Sequence, residues 1–385
     1  MDLTRPIYLD NFSTTPVDPK VVQEMLPYFN EKFGNEGSRT HLYGWEARES
    51  VEFARERIAK LIKCNMNELY FTSGATESIN LALKGLAYSK KHTKKHIITF
   101  NSEHKATIDV CEKLNKDGYI VSYLPVDEYG NIDLDLIKDS ITEDTFLLTI
   151  LHGNNEIGNI YPIKKIGDIC KQNNIIFHVD GAQTVGKINI DVNDMNIDLL
   201  SFSSHKIYGP KGTGGLYIKK ANSQIHLESI IHGGGQENNI RPGTLAVQNI
   251  VGFGKACEIC QENLENDNRG ILGLRNHLMN ELKKIIPNIK INGDLKNRLA
   301  GNLNVTIPNI KNSSLMMSLR DIAISNGSAC TSSLPETSHV LKAIGLSKDL
   351  ANSSIRFGIG RFNTIDEINY TIEKINETVN KLRIL

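Results

Sequence analysis

One lysine of the chain stands among residues that could support covalent chemistry with a carbonyl compound. Lys206 lies in the stretch 201–212, which reads Ser-Phe-Ser-Ser-His-Lys-Ile-Tyr-Gly-Pro-Lys-Gly. An amine attacks a carbonyl carbon to form a Schiff base, and hydroxyl and backbone N–H groups bind a phosphate. The stretch therefore indicates an anchor for a phosphorylated carbonyl cofactor. The residues alone leave open the alternative of a surface lysine in a polar turn.

Two further charged residues stand on short apolar runs. Asp180 follows the run 175–179, where a carboxylate could pair with a protonated ring nitrogen; capping a helix N-terminus is the alternative. Arg356 lies in the run 353–361, where its guanidinium suits a substrate carboxylate; a solvated arginine at a strand end is the alternative. Each residue thus has a binding role and a structural role that the sequence does not separate.

Cys330 differs in its surroundings from the other five cysteines. It stands in the stretch 325–336, which is rich in Gly, Ser, Thr and Pro and is typical of an exposed loop. A cysteine there is better explained by reactivity than by packing. The others fall on helix-like or strand-like segments. Cys257 and Cys260 form a lone CxxC, which without a second pair favours two half-buried packing residues over a zinc site.

A phosphate site is predicted where small residues join a strand to a helix. The apolar run 69–72 is followed by residues 73–77, Ser-Gly-Ala-Thr-Glu, and by a helical pattern up to residue 87. Free N–H groups and the positive end of the helix dipole attract an anion at such a place. The alternative is an ordinary helix start capped by Ser73 or Thr76.

Alternating strands and helices position these residues. Strand-like runs occur at 96–100, 120–124, 146–151, 175–179, 197–200 and 215–218, and helical patterns at 107–116, 134–141 and 163–172. This alternation predicts an α/β fold with a mostly parallel central sheet covered by helices. Ligands bind outside the carboxyl ends of such strands, which is where residues 103–105, 154–156 and 178–183 fall.

Two domains are predicted from the length of 385 residues. Residues 16–260 are expected to form a large domain that ends with a helix at 245–265. Residues 1–15 and 261–385 are expected to form a smaller α+β domain that carries the cysteine loop. In it the pattern predicts helices at 272–285, 314–320 and 365–382, and strands at 290–292, 303–307 and 322–325.

Composition excludes several classes of protein. Lys and Arg number 44, as do Asp and Glu, so no net field favours stable nucleic-acid binding or an anionic membrane. No apolar run is long enough to span a membrane, and the N-terminus has no signal-peptide pattern. Six cysteines in so long a chain indicate a reducing compartment. We therefore expect a cytoplasmic protein, or one of an organelle matrix if the source is eukaryotic.

The chain resembles the group I (NifS/IscS-type) cysteine desulfurases of the class V aminotransferase family. The resemblance covers nearly the whole chain and is carried by the motifs at 71–77, 103–105, 154–158, 178–180, 203–212, 327–332 and 353–357. It implies a fold-type I enzyme that depends on pyridoxal 5′-phosphate.

The same resemblance implies a role for each matching residue. Lys206 holds the cofactor covalently, His104 stacks on its ring and takes part in catalysis, and Asp180 pairs with its ring nitrogen. Asn155 and Arg356 bind the substrate carboxylate, and Cys330 accepts the sulfur. The further residues that the resemblance places on the cofactor are Ala75, Thr76, Asn155, Gln183, Ser203, His205 and, from a partner subunit, Thr244.

The activity implied is conversion of L-cysteine to L-alanine by a homodimer, leaving a persulfide on Cys330. The sulfur then passes to an iron–sulfur scaffold protein and other acceptors, including those of tRNA thiolation. Cys330 is expected to contact a nascent iron–sulfur cluster during this transfer, and no resident metal is expected. The alternatives are a selenocysteine lyase or an aminotransferase of the same fold, and a non-catalytic sulfur-relay or scaffold subunit.

Overall fold

The computed structural model describes residues 6–326 and 337–384 of the chain. Its strands are β1 Ile7–Tyr8, β2 Leu69–Thr72, β3 His96–Phe100, β4 Ile120–Leu124, β5 Thr145–Leu151, β6 Ile176–Asp180, β7 Leu199–Ser203, β8 Gly214–Ile218, β9 Lys290–Ile291, β10 Asn302–Thr306, β11 Ile322–Ala323 and β12 Ser354–Gly358. Its α-helices are α1 Pro19–Met25, α2 Pro27–Asn30, α3 Leu42–Ile62, α4 Ala75–Tyr88, α5 Lys105–Lys116, α6 Leu134–Asp139, α7 Ile163–Gln172, α8 Val247–Ile285, α9 Asn312–Ser318, α10 His339–Ala343, α11 Lys348–Ala351 and α12 Ile365–Ile384. None of these helices is long and apolar enough to cross a membrane.

A seven-stranded sheet forms the centre of the molecule and confirms the predicted α/β architecture. Its strand order is β2-β8-β7-β6-β5-β3-β4, and every neighbouring pair is parallel except those that involve β8. Strands β5 and β6 are buried along their whole length, as expected for parallel strands covered by helices on both faces. Their carboxyl ends therefore meet at one edge of the sheet.

Helices α3 and α8 pack closely on one face of this sheet. A Cβ added to Gly254 of α8 would lie 2.7 Å from the Cα of Ala54 on α3, so the contact depends on the missing side chain. Both helices contribute to an apolar cluster that runs from Val21 to Cys260. This cluster holds the strands that carry the candidate site.

A second apolar cluster lies against a smaller antiparallel sheet. Strands β12, β10 and β9 are neighbours in that order, and β1 pairs in parallel with β11. The cluster joins Ile7 and Leu9 to side chains between Leu278 and Val379. The proposed division of the chain at residues 260 and 261 stays a prediction, and that point falls inside α8.

Helix α8 corrects the expectation of two separate helices at 245–265 and 272–285. It is a single helix of 39 residues. The polar run 266–270 looked like a break between helices, but residues 261–274 include no buried position in this helix. An exposed stretch of helix needs no apolar face, so hydrophobic periodicity gave no signal there.

Two smaller corrections concern α1 and the paired cysteines. The sequence pattern over residues 21–29 predicts a single helix, but the structure divides it at Leu26, because Pro27 has no N–H group to continue it. Cys257 and Cys260 are buried, at 0% and 2% exposure, rather than half-buried. Burial raises the pKa of both thiols, which makes them poor nucleophiles.

Candidate active site

A cavity of about 440 Å³ opens at the carboxyl ends of the central parallel strands. Its volume is within the range of small-molecule binding sites. The predicted site residues that line it are Ala75, Thr76, His104, Asn155, Asp180, Gln183, Ser203, His205, Lys206 and Arg356. The structure thus brings together ten residues that are up to 281 positions apart in the sequence, from Ala75 to Arg356.

Lys206 lies in a short 3-10 turn directly after β7, so its side chain begins at the carboxyl edge of the sheet. Its Nζ donates hydrogen bonds to the backbone oxygens of Phe12, at 2.5 Å, and Ser13, at 2.7 Å. Burial, together with the positive charges of Lys187 and Arg356, lowers its pKa to about 7. This is therefore not a surface lysine, and near neutral pH a large fraction of its amine is uncharged.

Asp180 is the last residue of β6 and is 5% exposed. Its Oδ1 accepts one hydrogen bond, from the Ala182 N–H at 2.9 Å. Residues 182–187 form turns, so Asp180 is not the cap of an α-helix. Burial raises its pKa to about 6. A cationic group in the cavity would favour the ionised form, which fits a protonated ring nitrogen as its partner.

His104 is the N-cap of α5, and its Nδ1 accepts a hydrogen bond from the Ala106 N–H at 3.1 Å. That contact assigns the ring proton of the neutral form to Nε2. The ring is exposed toward the cavity, and desolvation by the surrounding protein, together with the charge of Lys206, lowers its pKa to about 4. His104 is consequently neutral above that pH.

The start of α4 forms one end of the cavity. Gly74 is its N-cap, and no side chain supplies a capping hydrogen bond there, so Ser73 and Thr76 do not act as the caps that the alternative interpretation requires. The first N–H groups of a helix have no partner within the helix, and with the dipole they form an anion site. Ala75 and Thr76 belong to this first turn and line the cavity.

Ser203 and His205 reach the same cavity from β7 and the turn after it. A Cβ added to Gly74 would lie 3.6 Å from the Ser203 Oγ, so this hydroxyl is next to the start of α4. His205 shares a hydrogen bond with the Thr14 hydroxyl, at 3.1 Å from its Nδ1. Hydroxyl, imidazole and helix N-terminus together suit a phosphate group.

Arg356 on β12 is 2% exposed, so it is not a solvated arginine at a strand end. Its guanidinium donates to the Asn155 backbone oxygen at 2.7 Å, to Asp10 Oδ1 at 2.6 Å and to the Ser13 hydroxyl at 2.8 Å. Within the described residues its Nε has no hydrogen-bond partner. The guanidinium is thus held rigidly at the wall of the cavity.

Two predicted residues stand apart from these. Thr244 is exposed in the segment before α8 and does not line this cavity; it was expected to act on the site of a partner subunit, and that role stays a prediction. Cys330 lies outside the described residues. Among residues 6–326 and 337–384, no cluster of His, Cys, Asp and Glu could hold a metal ion.

Sequence reasoning missed the contribution of the segment 9–15. Phe12 and Ser13 provide the carbonyl groups that hold Lys206, and Asp10 pairs with Arg356. The signal available was the polar run 11–15, which directly follows the short strand-like run 7–10. Lys187 was missed as well, since nothing near it in sequence distinguishes it from other lysines.

The residues present fit pyridoxal 5′-phosphate. The cavity offers an amine with a lowered pKa, a buried carboxylate that is open to a further donor, and an uncapped helix N-terminus. These are the groups needed for the carbonyl carbon, the ring nitrogen and the phosphate of that cofactor.

Comparison with known proteins agrees with this chemistry. The family model for class-V aminotransferases matches residues 7–371. The chain is 51% identical over 379 residues to a protein named probable mitochondrial cysteine desulfurase from Dictyostelium discoideum, covering 98% of this chain and 84% of that protein. It is 50% identical over 378 residues to cysteine desulfurase IscS of Ehrlichia chaffeensis, covering 98% and 92%.

Solved structures give the same result. A NifS-like protein superposes with a TM-score of 0.91 and 38% identity, covering 97% of this chain and 99% of the other. A protein described as SspA in complex with cysteine superposes with a TM-score of 0.79 and 37% identity, covering 93% and 100%.

Proposed function

The chain belongs to the class-V aminotransferase family and is a cysteine desulfurase that depends on pyridoxal 5′-phosphate, and we propose a role for each residue of its active site. The observation that carries the assignment of roles is the position of Lys206. Its partly uncharged amine stands in one cavity with the buried Asp180 and the anchored Arg356. An amine, an acid and a guanidinium so arranged can bind a carbonyl cofactor and an α-amino acid side by side.

The cofactor, when bound, supplies a carbonyl carbon that an amine attacks and a ring that withdraws electrons from the substrate. Lys206 anchors it, and because the pKa of Lys206 is near 7, its Nζ can both accept and donate a proton at neutral pH. Asp180 would hold a proton on the ring nitrogen, and the neutral His104 would contact the ring. Gln183 would pair with the ring hydroxyl.

The phosphate is held at the start of α4. Backbone N–H groups and the helix dipole contribute there, and the remaining contacts come from Ala75, Thr76, Ser203, His205 and the partner's Thr244. The close approach of Ser203 to Gly74 and the uncapped helix start support this assignment.

Arg356 and Asn155 bind the substrate carboxylate. The contacts of Arg356 with Asp10, Ser13 and the Asn155 carbonyl fix the plane of its guanidinium before any ligand arrives, which lowers the entropic cost of binding. L-cysteine is the substrate that the cysteine desulfurase relatives indicate, and a similar protein has been solved in complex with cysteine.

Cys330 takes the sulfur atom of the substrate. Its thiolate attacks that sulfur, the bond from sulfur to the substrate carbon breaks, and L-alanine leaves once that carbon gains a proton. The five cysteines that the structure describes are poor substitutes: four are buried, and burial also raises the pKa of the half-exposed Cys64, to about 12. The persulfide is passed to an iron–sulfur scaffold protein and to acceptors of tRNA thiolation.

A homodimer is the assembly that we propose. The exposed large apolar side chains of the described chain concentrate in the segment 22–53, where Phe33 stacks on Tyr43 with ring centroids 5.3 Å apart. This N-terminal apolar segment includes Val22, Leu26, Phe29, Phe33, Leu42, Tyr43, Trp45 and Phe53. Exposed apolar side chains concentrated in one segment are typical of an interface between proteins. The relatives include bacterial and mitochondrial proteins, so we propose the cytoplasm or an organelle matrix as its location.

An absorption spectrum recorded with and without L-cysteine tests this function. The purified full-length protein, loaded with pyridoxal 5′-phosphate, should absorb in the visible range, change spectrum when L-cysteine is added, and release alanine and sulfide in the presence of a reductant. No keto acid should be required, which separates the reaction from transamination. A colourless protein, or one that releases no alanine, would reject the proposal.

A further inference from the structure

Lys187 lies behind the wall of the active-site cavity, where no sequence motif places a function. It follows β6 by seven residues, in the turns that lead away from Asp180. It does not line the active-site cavity but a second, smaller one of about 40 Å³. Phe12 lines both cavities. The Lys187 Nζ is 4.7 Å from the centroid of the Phe12 ring.

A short hydrogen-bond chain connects Lys187 to the site. Its Nζ donates to Gln183 Oε1 at 3.2 Å, and Gln183 Nε2 donates to the Phe12 backbone oxygen at 2.9 Å. The same oxygen accepts a hydrogen bond from Lys206 Nζ at 2.5 Å. The two lysines are thus linked through one side-chain amide and one carbonyl.

These hydrogen bonds fix which end of the Gln183 amide faces the site. An ammonium group only donates and a backbone carbonyl only accepts, so Oε1 must face Lys187 and the amide nitrogen must face Phe12. Both contacts agree on one orientation of the amide. The second N–H of Nε2 is then available to an acceptor in the cavity, such as a ring hydroxyl oxygen.

The charge of Lys187 also acts on the site. The titratable groups that act on Lys187 itself are the Cys260 thiol on α8 and the Arg356 guanidinium on β12, and neither is a carboxylate. Those that face Lys206 are Lys187 and Arg356, which oppose its protonation, and Asp10 and Asp180, which favour it. After burial, Lys187 is the largest influence that lowers the pKa of Lys206.

We propose that Lys187 is a positioning residue of this active site: its ammonium group orients the Gln183 amide, and its charge favours the uncharged amine of Lys206. The proposal rests on the proposed role of Lys206 as cofactor anchor. Lys187 itself touches neither cofactor nor substrate. Its effect passes through the hydrogen bonds of Gln183 and Phe12 and through the electrostatic repulsion between its charge and that of Lys206.

The first test measures the amine of Lys206 directly. Full-length protein freed of cofactor is labelled with a trace amount of an amine-acylating reagent at a series of pH values, and the label on Lys206 is measured by peptide mass spectrometry. The wild-type midpoint is expected near pH 7. In Lys187→Met the midpoint should move upward by roughly one pH unit, because a like charge has been removed.

Three further variants make the result specific. Lys187→Gln is also neutral but keeps a polar end, and its midpoint should show a similar upward shift. It provides a second neutral variant if Lys187→Met does not fold. Lys187→Arg keeps the charge and should restore the wild-type midpoint. Lys171→Met, which removes an exposed lysine at the end of α7, should leave it unchanged.

The second test uses the cofactor-loaded full-length enzyme. The midpoint of the pH-dependent change in its visible spectrum should also move upward in Lys187→Met and Lys187→Gln, and not in Lys187→Arg. Circular dichroism shows whether Lys187→Met and Lys187→Gln are folded. An unchanged midpoint in either of these variants, if folded, would overturn the proposal. A shift in Lys187→Arg as large as theirs would also overturn it. If the wild type instead forms no coloured complex, the proposed function fails, while the labelling test of Lys187 remains decisive.

Discussion

At the scale of single residues, burial decides the chemistry of this site. Asp180 and Lys206 would both be fully charged in water at neutral pH, whereas in the cavity their pKa values move toward each other, to about 6 and about 7. Each is held by backbone groups, the Ala182 N–H in one case and the carbonyls of Phe12 and Ser13 in the other. Asp180 can therefore bind a cationic group, and the Lys206 amine can react with a carbonyl group.

Asp180→Asn should separate the charge of this residue from its shape. The amide oxygen can still accept from Ala182, but it cannot keep the ring nitrogen protonated, so kcat should fall on the order of 100-fold. In the cofactor-free protein, ionisation of the buried Asp180 lowers the stability of the fold as the pH rises through about 6, because its pKa is raised in the folded state. Asp180→Asn cannot ionise, so at pH 8 it should unfold at the same temperature as the wild type or at a higher one.

Asp198→Asn is the matched control for that experiment. Asp198 is a buried carboxylate just before β7 that accepts from the Phe177 N–H and lies outside the active-site cavity. Its amide variant should retain kcat within a few-fold. Equal losses of kcat in the two variants would contradict a specific role for Asp180.

Arg356→Lys should mainly raise the KM for L-cysteine, by roughly tenfold or more, because a point charge replaces a planar fork. Steady-state alanine release measures both KM and kcat. Arg361→Lys is the control, since Arg361 is anchored on Asp18 and Asp267 away from the active-site cavity. A fall in kcat with unchanged KM in Arg356→Lys would indicate that Arg356 only holds the fold together.

At the scale of elements, the phosphate end of the site depends on how closely β8 approaches the start of α4. A Cβ added to Gly214 would lie 2.6 Å from both the Gly74 Cα and the Phe202 backbone oxygen. These are backbone atoms that cannot rotate away. The small residues found here are consequently required by packing between elements as well as by contact with a ligand.

Gly214→Ala should therefore weaken both stability and cofactor binding. We expect a loss of roughly 1–3 kcal/mol in the free energy of unfolding, the usual range for overpacking. The affinity for pyridoxal 5′-phosphate, measured by fluorescence titration, should fall at the same time. Gly270→Ala on α8, where an added Cβ meets nothing within 4 Å, should be neutral or stabilising. Cofactor affinity unchanged in Gly214→Ala would contradict this view of the phosphate end.

The sequence predicted the periodic elements well and the irregular ones less well. Strands such as β2 and helices such as α7 have strong apolar patterns and occur at the expected bounds. The continuity of α8 was missed because its exposed middle has no pattern, and α10 and α11 were missed because each is only about one turn long. Apolar periodicity needs several turns with buried positions: the middle of α8 has no buried position, and α10 and α11 are too short to show a period.

The same limit applies to the site. Side chains at the ends of parallel strands were expected to meet, and Asp180, Ser203 and Asn155 do line one cavity. The backbone oxygens of Phe12 and Ser13 could not be expected, because any residue carries a carbonyl group. Their place follows from the long-range pairing of the N-terminal segment with β12 and β11, which no local pattern encodes.

At the scale of the whole molecule, two apolar clusters are connected by α8, and the active-site cavity receives residues from both sheets. Lys206 comes from the central sheet, and Arg356 from the smaller one. Relative movement of the two sheets would change the separation of cofactor anchor and carboxylate clamp. The Arg356–Asp10 ion pair and the bond from Arg356 to Asn155 oppose such movement.

Dimerisation should be required for activity, since Thr244 is proposed to complete the phosphate site of the partner. The double variant Phe33→Glu, Trp45→Glu places charges in the N-terminal apolar segment and should sediment as an inactive monomer. Tyr129→Glu, at an exposed aromatic outside that segment, should remain a dimer with normal activity. A monomer that is fully active at assay concentration would contradict the proposal.

The central claim is that Lys206 and Cys330 together move sulfur from L-cysteine to the protein. Intact-protein and peptide mass spectrometry after brief incubation with L-cysteine, with alanine measured in the same sample, tests it most directly. Wild type should gain one sulfur atom on Cys330 for each alanine formed in a single turnover. Cys330→Ala should gain none, although its spectrum still changes with L-cysteine, and Lys206→Ala should gain none and form no alanine. A sulfur atom that persists in Cys330→Ala, or that maps to Cys257 or Cys260 in the wild type, would contradict the account.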